Sequence, residues 1–423
     1  MYQEEAMMKR KWLLIAVAAL AVATTLPAQA KSQPREVKFW TLFTGGDGEF
    51  FDAMVKAYNA SQTDVVMKND TVKYTDYYTK LTAALAAKTA PDVVVCHASN
   101  LVNYVPNNVF LPLDSYIKQA GVNLSDFEPA SLKGVTFNGK IYALPLDVHP
   151  LIMYVNVDLL KKAGIDKIPS TYDEVLADAK IVQDKTGAIG IACDDTTATY
   201  KAYTFTRVFM SYLKQQGQTI LTADNKKANF NNDSGVKAYQ LLCDMVNKNA
   251  VTPKGLDYDS SVADFKLGKA AFHFNGVWCT GSFEEQKDLN FVAVPFPAAF
   301  GANASWTDSH TFAVPVQKRL DQQKVLDVVK FMDWMTSHGE MWAKAGHIPT
   351  RISVVAKPEF QGLAHRKDYA AAVKYVFTPP ATPKWGQIYD LVSDCLEAAV
   401  AKNADAKTTL ADMEKKVNAV LAR

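Results

Sequence analysis

Beyond position 30, the spacing of apolar residues switches between two periods. "EVKFWTLF" (36–43) has strand character, whereas "EFFDAMVKAYN" (49–59) returns Phe50, Phe51, Met54, Val55 and Tyr58 to one face of a helix. "TDVVMKN" (63–69) then predicts a strand, "TDYYTKLTAALAAK" (75–88) a helix, and "PDVVVC" (91–96) a strand again. Such a βαβαβ order predicts a mostly parallel open sheet with helices on both faces. The unbroken apolar run in "DVVVC" suits a strand covered on both sides.

"GKIYALPL" (139–146) is the next strand, and "PSTYDEVLADAKIVQD" (169–184) opens a helix with a capping box. In that box the Thr171 side chain accepts from the backbone while Glu174 reaches back. Helical periodicity dominates residues 200–250, broken by the polar "TADNKKANFNNDSG". Strands resume at "KAAFHFNG", "NFVAVPFP" and "SHTFAVPV", and amphipathic helices such as "QQKVLDVVKFMDWMTSH" and "WGQIYDLVSDCLEAAVAK" follow. No internal repeat, low-complexity segment or long Gly/Ser linker interrupts this order. Two α/β lobes joined by ordinary strands are therefore expected, in a chain of 423 residues.

Residues 1–30 break the pattern. Lys9, Arg10 and Lys11 precede the uncharged block "WLLIAVAALAVATTL", and small residues Ala28 and Ala30 stand before Lys31, the order of a cleaved secretory signal. The block is shorter than the roughly 20 residues of a membrane span. No Cys stands at the cleavage point to take a lipid, so a free exported protein, in the periplasm, is the expectation. Charge changes the picture little: 46 Lys and Arg against 44 Asp and Glu, without basic runs, argue against a nucleic-acid partner. Five scattered cysteines are too few for a disulfide framework and read as packed thiols.

Ligands of open parallel sheets sit outside the carboxyl ends of the strands, and those positions carry the candidate chemistry. "TGGDGE" exposes Asp47 and Glu49 after the first strand; His97, Ser99 and Asn100 follow "DVVVC"; Asp147 and His149 follow "ALPL". Trp278 follows "AFHFNG", and "SWTDSH" brings Trp306, Asp308 and His310 ahead of the last strand. An aromatic face beside carboxylates suits a sugar, whose C–H face stacks while its hydroxyls are accepted. Asp47 is equally suited to capping the helix behind it, and His97 or His149 taken alone is better suited to a structural hydrogen bond. Trp334 and Trp342 lie at core spacing. No GxSxG, HExxH, phosphate-binding GxxxxGK[ST] or GxGxxG after a strand occurs, and the His/Cys spacing fits no zinc site. Asp47 with Glu49 is the one pairing that could serve as the two carboxylates of a glycosidase.

Across the whole mature chain the sequence resembles the extracellular sugar-binding proteins of ATP-driven (ABC) importers, the group similar to maltose-binding protein. The resemblance rests on "KFWTLFTGGDGEFFDAMVKAYN", "APDVVVCHASNLVNYVPNNVFLPLDSYI", "NGKIYALPLDVHPLIMYVNVDLLKKAGI", "GKAAFHFNGVW" and "HTFAVPVQKRLDQQKVLDVVKFMDWMTS" followed by "GHIPTR". It implies an α/β, two-lobed periplasmic-binding-protein fold with a ligand cleft between the lobes and three chain crossings. These fall at "LDVHP", near "PFPAAFGANAS" and just after "GHIPTR". Lobe one would hold residues 31–148 and 300–350, and lobe two residues 149–299 and 351–423. The resemblance also implies sugar stacking by Trp278 and Trp385, a weaker stacking candidate in Tyr203, and a hydroxyl donor in Arg351. It implies a binding protein without catalysis, cofactor or metal, acting as a monomer on a sugar, with a membrane permease and ATPase as partners. Glycerol phosphate, a polyamine, or glycoside hydrolysis are the alternatives.

Overall fold

The computed structural model describes residues 33–196 and 201–423; the expected signal sequence, 1–30, lies outside them. In the first sheet β1 (Arg35–Thr41) lies between β2 (Val65–Thr71) and β3 (Val93–His97), parallel to both. Helices α1 (Gly48–Ser61) and α2 (Tyr74–Ala87) make the two crossovers. As the apolar periodicity requires, α1 buries Phe51, Met54, Val55 and Tyr58, and β3 is buried along its whole length. β4 (Ala143–Pro145), β5 (Asp147–Val148) and β6 (Leu151–Asn156) follow in quick succession. They do not belong together: β4 is in the first sheet, β6 in the second, and β5 in neither.

The second sheet has β6 between β9 (Phe291–Pro295) and β8 (Ala270–Gly276), with β7 (Ile189–Ala192) outside β8. Between β7 and β8 runs α3 (Tyr203–Gln215), buried at nearly every position. After β10 (Ser305–Trp306) the chain returns to the first sheet as β11 (His310–Ala313), between β3 and β4. α4 (Gln322–Ser337) follows, and then β12 (Ile348–Pro349), which pairs antiparallel with β5: Ile348 opposite Val148, Pro349 opposite Asp147. α5 (Trp385–Ala401) packs on the second lobe.

Both sheets are open, as expected, but they are mixed rather than mostly parallel. β11 runs antiparallel to β3 and β4, and β6 antiparallel to β8 and β9; within these two sheets the parallel ladders are β1–β2, β1–β3 and β7–β8. The cause is the route of the chain. A strand that arrives from the other lobe starts at the cleft, where its neighbours end, so it must run against them.

Two separate apolar cores follow the sheets. One takes residues from Val37 to Leu146 and from Phe312 to Ala345; the other takes Leu151 to Phe296, Trp306, Ile348 and residues from Tyr369 to Val420. The chain therefore changes core between Leu146 and Leu151, between Trp306 and Phe312, and between Ala345 and Ile348. The second change comes later than the boundary at 300 read from the sequence. Trp306 anchors in the second core because its backbone N–H donates to Ser211 Oγ on α3 (3.0 Å). All five cysteines are free thiols, and Cys96, Cys193, Cys243 and Cys279 are buried. Among the described residues no helix is long and apolar enough to cross a membrane.

Candidate ligand cleft between the two cores

Strand ends from both sheets meet at one cleft. After β1 come Leu42, Thr44, Gly45 and Asp47; His97 ends β3 and His310 starts β11; His149 follows β5. From the second core come Tyr203 and Arg207 on α3, together with Tyr258, Trp278 and Trp306. The cleft holds about 600 Å³ of free space, its open mouth included. Trp278 can turn its ring back into the cleft because residue 276 is glycine: a Cβ there would lie 1.9 Å from the ring. Its indole N–H donates to Tyr258 Oη (2.8 Å).

Behind the cleft floor lies the Asp147 carboxylate, fully buried. Oδ1 accepts from His149 Nδ1 (2.9 Å) and from the His310 backbone N–H (2.9 Å); Oδ2 accepts from His310 Nδ1 (2.7 Å) and Trp342 Nε1 (2.6 Å). The ring of His347 lies flat on Trp342 (4.2 Å, 6°), with Nδ1 3.2 Å from Asp147 Oδ2 and Nε2 3.3 Å from Asp47 Oδ2. One residue earlier Gly346, at φ +127°, leaves no room for a side chain, since a Cβ would meet Val277 O at 1.8 Å. Asp147, His149, His310 and His347 each offer a ligand atom, all within 4.8 Å of one another. That spacing could hold a metal ion, but both carboxylate oxygens already take N–H donors, and an ion would have to displace those protons.

The electrostatics follow from this packing. Burial alone would raise the pKa of Asp147, but His310, His347 and His149 hold it well below the usual carboxylate range. Burial and the neighbouring His310 push His149 down to about 3, so its ring is neutral. For His347 burial works against the charge, yet Asp147 and Asp47 overcome it and raise the group to about 9. His97 is driven well below its ordinary value by burial and by His310 and His149; its Nδ1 is 2.5 Å from Tyr78 Oη. Burial lifts Asp308 to about 6 against the Ser99 hydrogen bonds.

Of the residues singled out in the sequence, Asp47, His97, His149, Tyr203, Trp278, Trp306 and His310 line the cleft, with Asp147 directly behind it. Asp47 occupies the N-cap position of α1 without making the capping bond. The others lie elsewhere. Glu49 is exposed on the first turn of α1. Ser99 and Asp308 are engaged with each other, Ser99 Oγ donating at 2.5 Å. Arg351 is a brace rather than a hydroxyl donor: it bonds Thr336 (2.9 Å), Asp333 (2.5 Å) and Asp126 (3.4 Å), over the Phe127 ring. Trp385 is buried at the start of α5, against Tyr389, which in turn stacks on Tyr203 (4.6 Å, 4°). Sequence reasoning missed Arg207, Tyr258, Tyr74 and Lys201 in the cleft lining, and His347 beneath it. It also gave Trp342 a packing role alone, whereas its N–H serves Asp147.

Two open mixed sheets facing each other across a cleft, linked by three strand crossings, define the architecture of a two-lobed binding protein. The family model for bacterial extracellular solute-binding proteins matches residues 44–342, and the chain belongs to that family, as its resemblance to the sugar-binding members implied. The arabinooligosaccharide-binding protein of Bacillus subtilis is 28% identical, over 84% of this chain and 83% of its own length. A putative binding protein of Brucella abortus is 24% identical over 99% of this chain and 100% of its own. Among solved structures, a solute-binding protein of Thermotoga lettingae bound with alpha-D-tagatose superposes with a TM-score of 0.81 at 20% identity, covering 92% of this chain and 100% of that one. The cyclic alpha-maltosyl-1,6-maltose binding protein of Arthrobacter globiformis gives 0.74 at 25% identity, over 92% and 99%.

Proposed function

We propose that this protein captures a sugar of oligosaccharide length in the cleft, closes its two lobes on it, and delivers it to the permease and ATPase of an ABC importer. The lobes correspond to the two cores, and the protein acts in the periplasm, after loss of residues 1–30, as a monomer without a lipid anchor. One observation carries the reading. Three residues lining the cleft each hold a buried polar atom with no hydrogen-bond partner: Asp47 Oδ1, Arg207 Nε and Trp306 Nε1. Leaving such atoms unpaired costs about 1–3 kcal/mol each, and a polyhydroxyl ligand supplies both the donor and the two acceptors they lack. Rings of Trp278, Trp306 and Tyr203 stand beside them for its C–H faces. The reading involves no catalysis, and with Glu49 outside the cleft the pairing proposed for glycoside hydrolysis is missing.

The test is a thermal-shift screen against mono- and oligosaccharides, followed by titration calorimetry. A true ligand at a hundredfold excess over its Kd adds about 2.7 kcal/mol of stability, whereas silence across the whole panel would remove the sugar reading.

A further inference from the structure

The charge at Arg207 narrows the ligand class further, on the footing that the ligand is a sugar. Arg207 sits in the middle of α3, only 8% exposed, and faces the cleft. Among the described residues no carboxylate comes within ion-pair distance of its guanidinium; the Tyr389 hydroxyl is hydrogen-bonded to it, and Asp194 acts on it from nearby. The other lysine or arginine of the lining, Lys201, is already matched to Asp394 at 2.7 Å. What holds Arg207 is aromatic: its guanidinium carbon lies 4.5 Å from the Trp306 ring centre, 5.0 Å from that of Trp278 and 5.9 Å from that of Tyr203.

Cation–π contact uses the flat faces of a guanidinium. Its N–H donors lie in the plane and point outward from the edge, and here Nε has none of its bonding capacity used. A buried cation with no carboxylate in direct contact is costly, so a negative group that meets that edge completes the arrangement. We infer that the ligand is an acidic sugar, one whose carboxylate pairs with Arg207 while its hydroxyls reach Asp47. The fork of Arg matches the two oxygens of a carboxylate. A phosphate dianion fits less well, because a single unpaired cation serves the cleft and Asp47 and Asp194 stand close by.

Titration calorimetry on the full mature protein decides this with matched probes: glucuronate against glucose, galacturonate against galactose, the di- and trisaccharides of each, and glucose 6-phosphate. The expected result is a uronide bound at least tenfold more tightly than its neutral counterpart, with Arg207→Lys, which keeps the charge but loses the fork, weakening that uronide tenfold or more. A neutral sugar bound as tightly as its uronide, or glucose 6-phosphate bound more tightly than glucuronate, overturns the inference while leaving a sugar site in place. Binding of none of these probes overturns both this inference and the sugar reading beneath it. Because the comparison among ligands uses the unaltered protein, it stands even where the variant fails to fold.

Discussion

Asp147 and His149 raise the same physical question in the sequence and in the structure: how a carboxylate and an imidazole survive in an apolar run. Asp147 is kept ionised by four N–H donors and by the charge on His347. His149 stands beside Asp147 in the sequence, but the contacts with His310, Trp342 and His347 were invisible there, because those residues are far from Asp147 along the chain. Arg207 was missed for a different reason. In "YTFTRVFMSYL" it is the one charge in a stretch that is otherwise packed almost throughout, and that lone charge amid apolar residues was the available signal. The His347 charge has a consequence for stability. Its pKa is about 9 folded against an ordinary 6.5, so its contribution is complete below pH 6.5 and is lost as pH rises through 9, up to about 3 kcal/mol. Denaturant unfolding between pH 6 and 9.5 should show that loss in the native protein and a flatter profile in His347→Gln. Equal slopes would mean that the ring is neutral throughout. At Trp278, removal of the indole by Trp278→Ala should weaken sugar binding tenfold or more, about 1.4 kcal/mol; calorimetry showing unchanged affinity would exclude it from the ligand contacts.

At the scale of elements, period and punctuation made most of the fold legible. The βαβαβ opening, the capping box of Thr171 and Glu174 and the late amphipathic helices all lie where apolar spacing placed them. Strand direction was not legible, since an apolar run does not say from which lobe the chain arrives. Nor was the short β5–β12 ladder, whose two-residue strands carry no periodicity. Arg351 is a misreading of the same kind. Standing just beyond β12, it looked like a cleft residue, yet it ties that segment to α4 through Asp333 and Thr336, and to Asp126. Arg351→Ala should therefore lower unfolding free energy by about 1.5–3 kcal/mol while sugar affinity stays within twofold; a large loss of affinity with normal stability would return it to the site.

For the whole molecule, the cleft is lined from both cores, so a ligand held by Asp47 on one side and Arg207 on the other favours the closed arrangement over any open one. Small-angle X-ray scattering should then show a smaller radius of gyration for the sugar-saturated protein than for the free one, and identical values would argue against hinge closure. The carboxylate of Asp147 also takes on a mechanical meaning at this scale. Its partners come from every place where the chain passes between cores: His149 from the first passage, His310 from the second, His347 from the third. The three strands are thus pinned at one point, like ribs at the rivet of a fan, and hinge closure of the halves would turn about that point. In such a closure the pivot is the buried carboxylate itself, and a small change of angle there would become a large change in the gap at the mouth.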